Sequence, residues 1–116
     1  MHKVQIYHNP RCSKSRAALE LLIENEIKPE IVDYLKTPPD AAALRELLHK
    51  LQMRPRDLMR TGESIYRDLH LDNLKLSDAA LIEAMAKNPI LIERPIVVAG
   101  AKAVLGRPPE KVLKLL

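Results

Sequence analysis

Aromatic residues are scarce in this chain of 116 residues. They make up 3% of it, and all of them are tyrosine, because Trp and Phe are absent. Apolar residues nevertheless account for 47% of the chain. The core must therefore be aliphatic, and a globular protein is favoured over a disordered one. The length favours a single domain that covers residues 1–116.

Long hydrophobic runs are also missing. No stretch approaches the roughly 18 uninterrupted apolar residues that a membrane helix needs, and the N-terminus lacks the apolar block of a signal peptide. We therefore expect a cytoplasmic protein without membrane association. The only cysteine, Cys12, agrees with that, because it cannot close an internal disulfide and stays a free thiol in a reducing compartment.

The net charge of +4 does not point to nucleic acid. Lysine and arginine are scattered, with no basic run and no aromatic residues interleaved for base stacking. A solvated surface with a small anion site explains the charge better. The histidines His2, His49 and His70 show no ligand spacing with one another or with Cys12, so we predict no metal site.

The apolar periodicity predicts the element order β-α-β, a helical segment, then β-β-α. Strands are expected at residues 3–8 and 30–35, with a helix between them from about Ser13 to Asn25. Two short β-rich runs on either side of Gly100 suggest an antiparallel hairpin. This order can form one mixed sheet of four strands with helices on its faces.

The helical segment and the final helix are marked by capping residues and prolines. We expect a loop at residues 37–40 that caps a helix ending at about residues 54–55, and a short helix ending near Arg60. A weaker helical segment follows at residues 65–69. Ser77 opens a longer helix that residues 88–89 close. The last helix is expected to start at residues 107–110.

Cys12 is predicted to lie between the first strand and the first helix, at the edge of an open α/β sheet where ligands bind. A helix N-terminus and the nearby Arg11, Lys14 and Arg16 favour the thiolate over the thiol. A buried structural cysteine is the alternative, and it is the commoner role of a lone cysteine. Ser15 stands where a C-x-x-C motif would have its second cysteine, so any redox cycle must finish with a thiol from another molecule.

Four segments carry a family resemblance: "HNPRCSKSR" at residues 8–16, "LMRTGE" at 58–63, "NPILIERPIVV" at 88–98 and "GRPPEKVL" at 106–113. Together and in this order, they resemble the glutaredoxin-linked arsenate reductases. The resemblance runs from about residue 4 to the C-terminus. It implies a thioredoxin-like fold with an inserted helical segment, and the reduction of arsenate to arsenite. Glutathione would be the co-substrate and glutaredoxin the partner, with no bound cofactor.

The resemblance also implies roles for individual residues. Cys12 matches the family's nucleophile, which attacks arsenic and later forms a mixed disulfide with glutathione that glutaredoxin resolves. Arg60, Arg94 and Arg107 match its three anion-binding arginines. Planar guanidinium groups suit a tetrahedral oxyanion, although Arg60 could instead be a favourable cation at a helix C-terminus.

Other residues near Cys12 are expected to support the site. His8 could tune the charge of Cys12 or hold the loop, or it could be an incidental hydrogen-bonding residue. Asn9, Ser15 and Arg16 are expected to shape the loop and the helix start. By resemblance, the peptide bond before Pro95 should be cis.

Two further functions remain open. The same fold family includes thiol-based transcriptional regulators that bind RNA polymerase, but these usually carry a C-x-x-C switch, which this chain lacks. A general glutathione-linked thiol oxidoreductase, acting on protein mixed disulfides, is compatible with a single cysteine.

Overall fold

The computed structural model of the protein describes residues 3–116, so His2 lies outside the described residues. The chain divides into two compact units. The first contains residues 3–37 together with Arg94–Leu116, and the second contains Pro38–Glu93. That residues 1–116 form a single domain stays a prediction.

The first unit is built on a mixed four-stranded sheet. Its elements are, in chain order, β1 (Val4–His8), α1 (Ser13–Glu24), β2 (Glu30–Asp33), β3 (Ile96–Ala99), β4 (Lys102–Leu105) and a 3₁₀ helix at Pro109–Leu115. The strand order is β2-β1-β3-β4. β1 pairs parallel with β2 and antiparallel with β3, and β3 and β4 are antiparallel. The predicted βαβ unit and hairpin are therefore confirmed.

Aliphatic side chains fill the core of this unit, as the composition predicts. One cluster of fully buried residues joins β1, α1, β3 and the 3₁₀ helix: Ile6, Ala18, Leu22, Val97 and Val112. Ala18 and Leu22 are four residues apart and so face the sheet together from α1. This packing fixes the start of α1 against the end of β1, which is where Cys12 lies.

Gly100 forms the predicted turn between β3 and β4. Its φ of 62° lies in the left-handed region that glycine adopts without a steric penalty. Ala99 pairs with Lys102 across this tight turn, which fixes the register of the hairpin. The hairpin in turn positions the residues just before β3 and just after β4.

The second unit is helical. Its elements are α2 (Ala41–Leu51), α3 (Pro55–Leu58), α4 (Ser64–Asp68), α5 (Asp78–Lys87) and a short 3₁₀ helix at Pro89–Leu91. Two helices begin as predicted, because Asp40 accepts a hydrogen bond from the Ala43 N–H at 2.8 Å and Ser77 accepts one from the Ala80 N–H at 3.1 Å. These side chains satisfy backbone donors that have no partner within the helix.

Several boundaries differ from the predictions. β2 ends at Asp33 rather than at residue 35, and α2 ends at Leu51, where Gln52 adopts a left-handed conformation with φ 56°. The last element begins at Pro109, within the predicted range, but it is a 3₁₀ helix instead of an α-helix. None of these differences changes the order of elements.

Within residues 3–116, no helix has both the length and the apolar character needed to cross a membrane.

Candidate active site

Cys12 lies where the sequence predicts, between the end of β1 and the start of α1. It is the N-cap residue of α1, with φ −95° and ψ 122°. Its backbone N–H donates to the Asn9 carbonyl at 3.0 Å, and its carbonyl accepts from the Arg16 N–H at 3.0 Å. The residue is 9% exposed. The sulfur is therefore held at a helix N-terminus with little direct contact with solvent.

The surroundings of Cys12 favour the thiolate. Burial raises the pKa of Cys12, but the backbone N–H of Ser15, the Arg94 side chain and the backbone N–H of Lys14 together bring that pKa below its usual value. Backbone N–H groups at a helix N-terminus and a guanidinium both stabilise negative charge. The sequence predicted this direction. The prediction named the helix N-terminus and the nearby cations Arg11, Lys14 and Arg16 as causes. The backbone N–H groups at the helix start do lower the pKa, but the side chain that contributes is Arg94.

Arg94 and Arg107 meet at the sulfur. The Arg107 Nη2 donates to the Cys12 Sγ at 3.5 Å, and its Nε donates to the Arg94 carbonyl at 2.7 Å. Each arginine precedes a proline, and both of these X-Pro bonds are cis. The cis bond before Pro95 agrees with the expectation from the resemblance, whereas the cis bond before Pro108 was not predicted.

Gly106 joins the two arginine-bearing segments. Its N–H donates to the Pro95 carbonyl at 2.8 Å. A Cβ at this position would lie 2.8 Å from Pro95 Cγ and 3.3 Å from Val112 Cγ1. Only glycine allows so close an approach of the chain. The spacing between Arg94 and Arg107 therefore depends on the absence of a side chain at position 106.

His8 and Ser15 form a buried polar contact behind the cysteine loop. His8 is 7% exposed and Ser15 is fully buried. The His8 Nδ1 lies 2.7 Å from the Ser15 Oγ, which also accepts from the Asn9 N–H at 3.0 Å. Burial lowers the pKa of His8, and Arg16 lowers it further, against an opposing effect of Asp33. Together these effects place the pKa of His8 below its usual value, and the contact with Ser15 links β1 to the first turn of α1.

The other predicted loop residues also make local hydrogen bonds. The Asn9 Oδ1 accepts from the Arg11 N–H at 3.0 Å, and the Arg16 Nη1 donates to the Pro10 carbonyl at 2.9 Å. Both bonds fix the backbone immediately before Cys12. These positions agree with the expectation that Asn9, Ser15 and Arg16 shape the loop.

Arg60 belongs to the second unit, where it binds two carboxylates. Its Nε donates to the Glu63 Oε1 at 3.2 Å and its Nη1 donates to the Glu93 Oε1 at 2.5 Å. Burial lowers the pKa of Arg60, but Glu93 and Glu63 outweigh that effect and raise it. α3 ends at Leu58, so Arg60 follows the helix rather than lying in its last turn. Neither carboxylate was predicted from the sequence.

The first unit thus brings together the groups needed for nucleophilic attack on an anion. Cys12 supplies a sulfur whose pKa is lowered, and Arg94 and Arg107 supply guanidinium groups beside it. Guanidinium N–H groups bind the oxygens of tetrahedral anions well. Among residues 3–116, no group of three or more metal-ligating side chains lies together. The absence of a metal stays a prediction.

Comparison with known proteins assigns the family. The chain matches the ArsC family over residues 7–115. This protein belongs to the ArsC family. It is 49% identical to an arsenate reductase of Neisseria meningitidis serogroup B over the full length of both chains, 100% of each. It is also 58% identical to the uncharacterized protein YfgD of Escherichia coli K12, covering 98% of this chain and 97% of that one.

A solved ArsC-family structure has the same fold. The arsenate reductase from Vibrio cholerae superposes with a TM-score of 0.97 at 48% identity, covering 99% of this chain and 98% of the other. The fold of the present ArsC-family protein is therefore thioredoxin-like, with a mixed four-stranded sheet and flanking helices. This confirms the fold expected from the four sequence segments.

We expect Arg94→Gln to raise the pKa of Cys12 in this ArsC-family protein. The guanidinium of Arg94 lowers that pKa, and a neutral amide cannot stabilise the thiolate to the same extent. The rate of alkylation by iodoacetamide follows the thiolate fraction. The pH at the midpoint of the alkylation rate should therefore be higher in the variant than in the wild type.

Arg11→Gln is the matched control for this measurement. It removes the same charge one residue from Cys12, but the Arg11 side chain is not among the groups that lower the pKa of Cys12. Its alkylation midpoint should stay at the wild-type value. Equal midpoints for wild type and Arg94→Gln would show that Arg94 does not stabilise the thiolate.

Proposed function

We propose that this ArsC-family protein is an arsenate reductase that uses glutathione and glutaredoxin, with Cys12 as its nucleophile. The contact between the Cys12 sulfur and two arginines is the observation that carries the proposal. A thiolate and an oxyanion repel each other unless cations offset their charges. Arg94 and Arg107 provide that positive charge beside the sulfur, and by family resemblance Arg60 is a third anion-binding residue.

The first chemical step would be attack of the Cys12 thiolate on arsenic. A sulfur–arsenic bond forms, and one arsenate oxygen leaves as hydroxide or, once protonated, as water. The arsenic remains at its oxidised level in this adduct. Arg94 and Arg107 would bind the remaining oxygens and stabilise the charge that develops on them during attack.

The second step would transfer two electrons to arsenic. A glutathione thiolate attacks the Cys12 sulfur and forms a disulfide bond, while the electron pair of the sulfur–arsenic bond leaves with arsenic, which is released as arsenite. Cys12 and glutathione are thereby oxidised to a mixed disulfide. Because the chain has one cysteine, no internal thiol can resolve this disulfide. A glutaredoxin thiolate would attack the glutathione sulfur and regenerate the Cys12 thiolate.

The reductant requirement tests this proposal. Arsenite formation should need arsenate, glutathione and glutaredoxin together, and omission of either reductant should reduce turnover to the uncatalysed level. Thioredoxin supplied in place of glutathione and glutaredoxin should not support turnover, because no second cysteine is available to form the intramolecular disulfide that a dithiol reductant resolves. Full activity with thioredoxin alone would overturn the glutathione mechanism.

A glutathionylated protein substrate distinguishes reduction of arsenate from general thiol exchange. A general thiol oxidoreductase would turn over this substrate faster than arsenate. An arsenate reductase would show the opposite order, because Arg94 and Arg107 favour a small anion. Faster turnover of the glutathionylated protein would show that the main activity is thiol exchange and not the reduction of arsenate.

A further inference from the structure

The charges of α1 run against its helix dipole. Lys14 and Arg16 lie near its start, where the first turn contains no acidic residue. Glu20 and Glu24 lie in its second half, and the last turn contains no basic residue. Unpaired backbone N–H groups make the start of a helix positive, so cations there lower its stability. Departures from such a local rule are expected at functional sites.

Two of the cations beside Cys12 are exposed and make no ion pair. Arg11 directly precedes Cys12, and Lys14 follows it by two residues. Both residues are exposed, and no ion pair found among residues 3–116 includes either side chain. The Arg16 guanidinium, by contrast, donates to the Pro10 carbonyl at 2.9 Å. The positive charges of Arg11 and Lys14 therefore face solvent beside the cysteine.

These two side chains are not the groups that stabilise the thiolate. Burial raises the pKa of Cys12, and the backbone N–H of Ser15, the Arg94 side chain and the backbone N–H of Lys14 bring it below its usual value. The side chains of Arg11 and Lys14 are not in this set. Their charge is therefore available to a molecule that reacts at the sulfur.

Resting on the proposed function, in which Cys12 forms a mixed disulfide with glutathione, we propose that Arg11 and Lys14 select a thiol co-substrate that carries carboxylates. Glutathione has two carboxylates and one ammonium group at neutral pH, so its net charge is negative. Arg94 and Arg107 would bind the oxyanion. Arg11 and Lys14 would bind the carboxylates of the thiol.

The carboxylates of glutathione lie close enough to these cations once its sulfur is bonded to Cys12. A tripeptide spans about 10 Å when extended, so neither carboxylate is farther than that from the sulfur. The Cα atoms of Arg11 and Cys12 are about 3.8 Å apart, and Lys14 lies about 3 Å along the helix axis from Cys12. Over distances below the Debye length of about 10 Å at 0.1 M salt, exposed charges still attract one another.

Two disulfides test this selectivity without arsenate. In each reaction the Cys12 thiolate attacks one sulfur, a mixed disulfide forms, and the other half of the reagent leaves as a thiolate. Oxidised glutathione carries carboxylates on both halves, whereas hydroxyethyl disulfide is neutral. Intact-mass spectrometry at pH 7 and low ionic strength gives the rate constant for each reagent. The neutral reagent corrects for any change in the reactivity of the thiolate.

Arg11→Gln and Lys14→Gln should each lower the ratio of the rate constant for oxidised glutathione to that for hydroxyethyl disulfide. We expect a fall of about threefold in each variant, the scale of an exposed ion pair, and a fall close to the product of the two in the double variant. The melting temperature should not fall, because both cations lie at the positive end of α1. An unchanged ratio in the double variant overturns the inference.

Lys28→Gln is the matched control. Lys28 is exposed and lies just before β2. The first residue of β2, Glu30, pairs with Gln5 near the start of β1, whereas Cys12 follows the end of β1. Lys28 therefore lies at the opposite edge of the sheet, and its replacement should leave the ratio unchanged. An equal fall in Lys28→Gln would show that net charge alone sets the ratio, which contradicts the inference.

The outcomes separate this inference from the proposed function. If the complete assay forms no arsenite but the ratio falls as expected, the proposed function is wrong and the selectivity for carboxylate-bearing thiols stands. If arsenite forms and the ratio does not change in the double variant, the proposed function stands and the inference is wrong. A weaker affinity of the double variant for phosphate, with an unchanged ratio, would assign Arg11 and Lys14 to the oxyanion and would also refute the inference.

Discussion

Replacement of Cys12 by serine is expected to lower the rate of arsenite formation by at least about 1,000-fold, the scale on which removal of a covalent nucleophile acts. A serine hydroxyl is almost entirely protonated at neutral pH, so the backbone N–H groups and Arg94 have no anion to stabilise. It also cannot form the sulfur–sulfur bond through which arsenic receives two electrons. The variant should therefore fail in both proposed steps.

The same variant should fold normally, because serine and cysteine have nearly the same shape and serine is a favoured N-cap residue. Thermal unfolding and the affinity for phosphate provide these controls. Mass spectrometry of the wild type, after a single reaction cycle with arsenate and glutathione but without glutaredoxin, should show one added glutathione at Cys12. The serine variant should show none. Arsenite formation at a rate close to that of the wild type would mean that Cys12 is not the nucleophile.

The fold could be predicted well from the sequence because its signals are local. The alternating strand at residues 3–8, the helix that follows it and the hairpin around Gly100 each follow from the spacing of apolar residues and from turn chemistry. The order of these elements then leaves few ways to form one sheet. The 3₁₀ form of the last element has no such signal, since its prolines are compatible with either kind of helix.

The candidate site, like the fold, could be predicted only where its contacts are local in the sequence. The position of Cys12 follows from the strand–helix junction, and the hydrogen bonds of Asn9 and Ser15 are local to it. The partners of Arg60 show the limit. Glu63 is three residues away, but Glu93 is 33 residues away, and an antiparallel bridge between Met59 and Ile92 brings its segment beside Arg60. No periodicity in the sequence encodes that pairing.

Gly106→Ala is expected to reduce both stability and activity. The new methyl group would lie 2.8 Å from the rigid ring of Pro95 and 3.3 Å from the buried Val112, so the backbone on one side must move. Overpacking of this kind typically lowers the free energy of unfolding by about 1–3 kcal/mol. Since residue 106 precedes Arg107 and contacts the proline that follows Arg94, the shift should also displace the two guanidinium groups.

A displacement of the arginines should appear in the kinetics as well as in the melting temperature. Misplacement of a binding group by about 1 Å can cost roughly 100-fold in rate, so kcat/KM for arsenate should fall far more than the folded fraction. Gly62→Ala is the matched control, because a Cβ there meets no atom within 4 Å, and its unfolding free energy should stay within about 0.5 kcal/mol of the wild-type value. If Gly106→Ala is as stable and as active as Gly62→Ala, the contact between position 106 and Pro95 does not set the arginine spacing. A loss of stability without a loss of kcat/KM would show that Gly106 is needed for packing of the core and not for the position of the arginines beside Cys12.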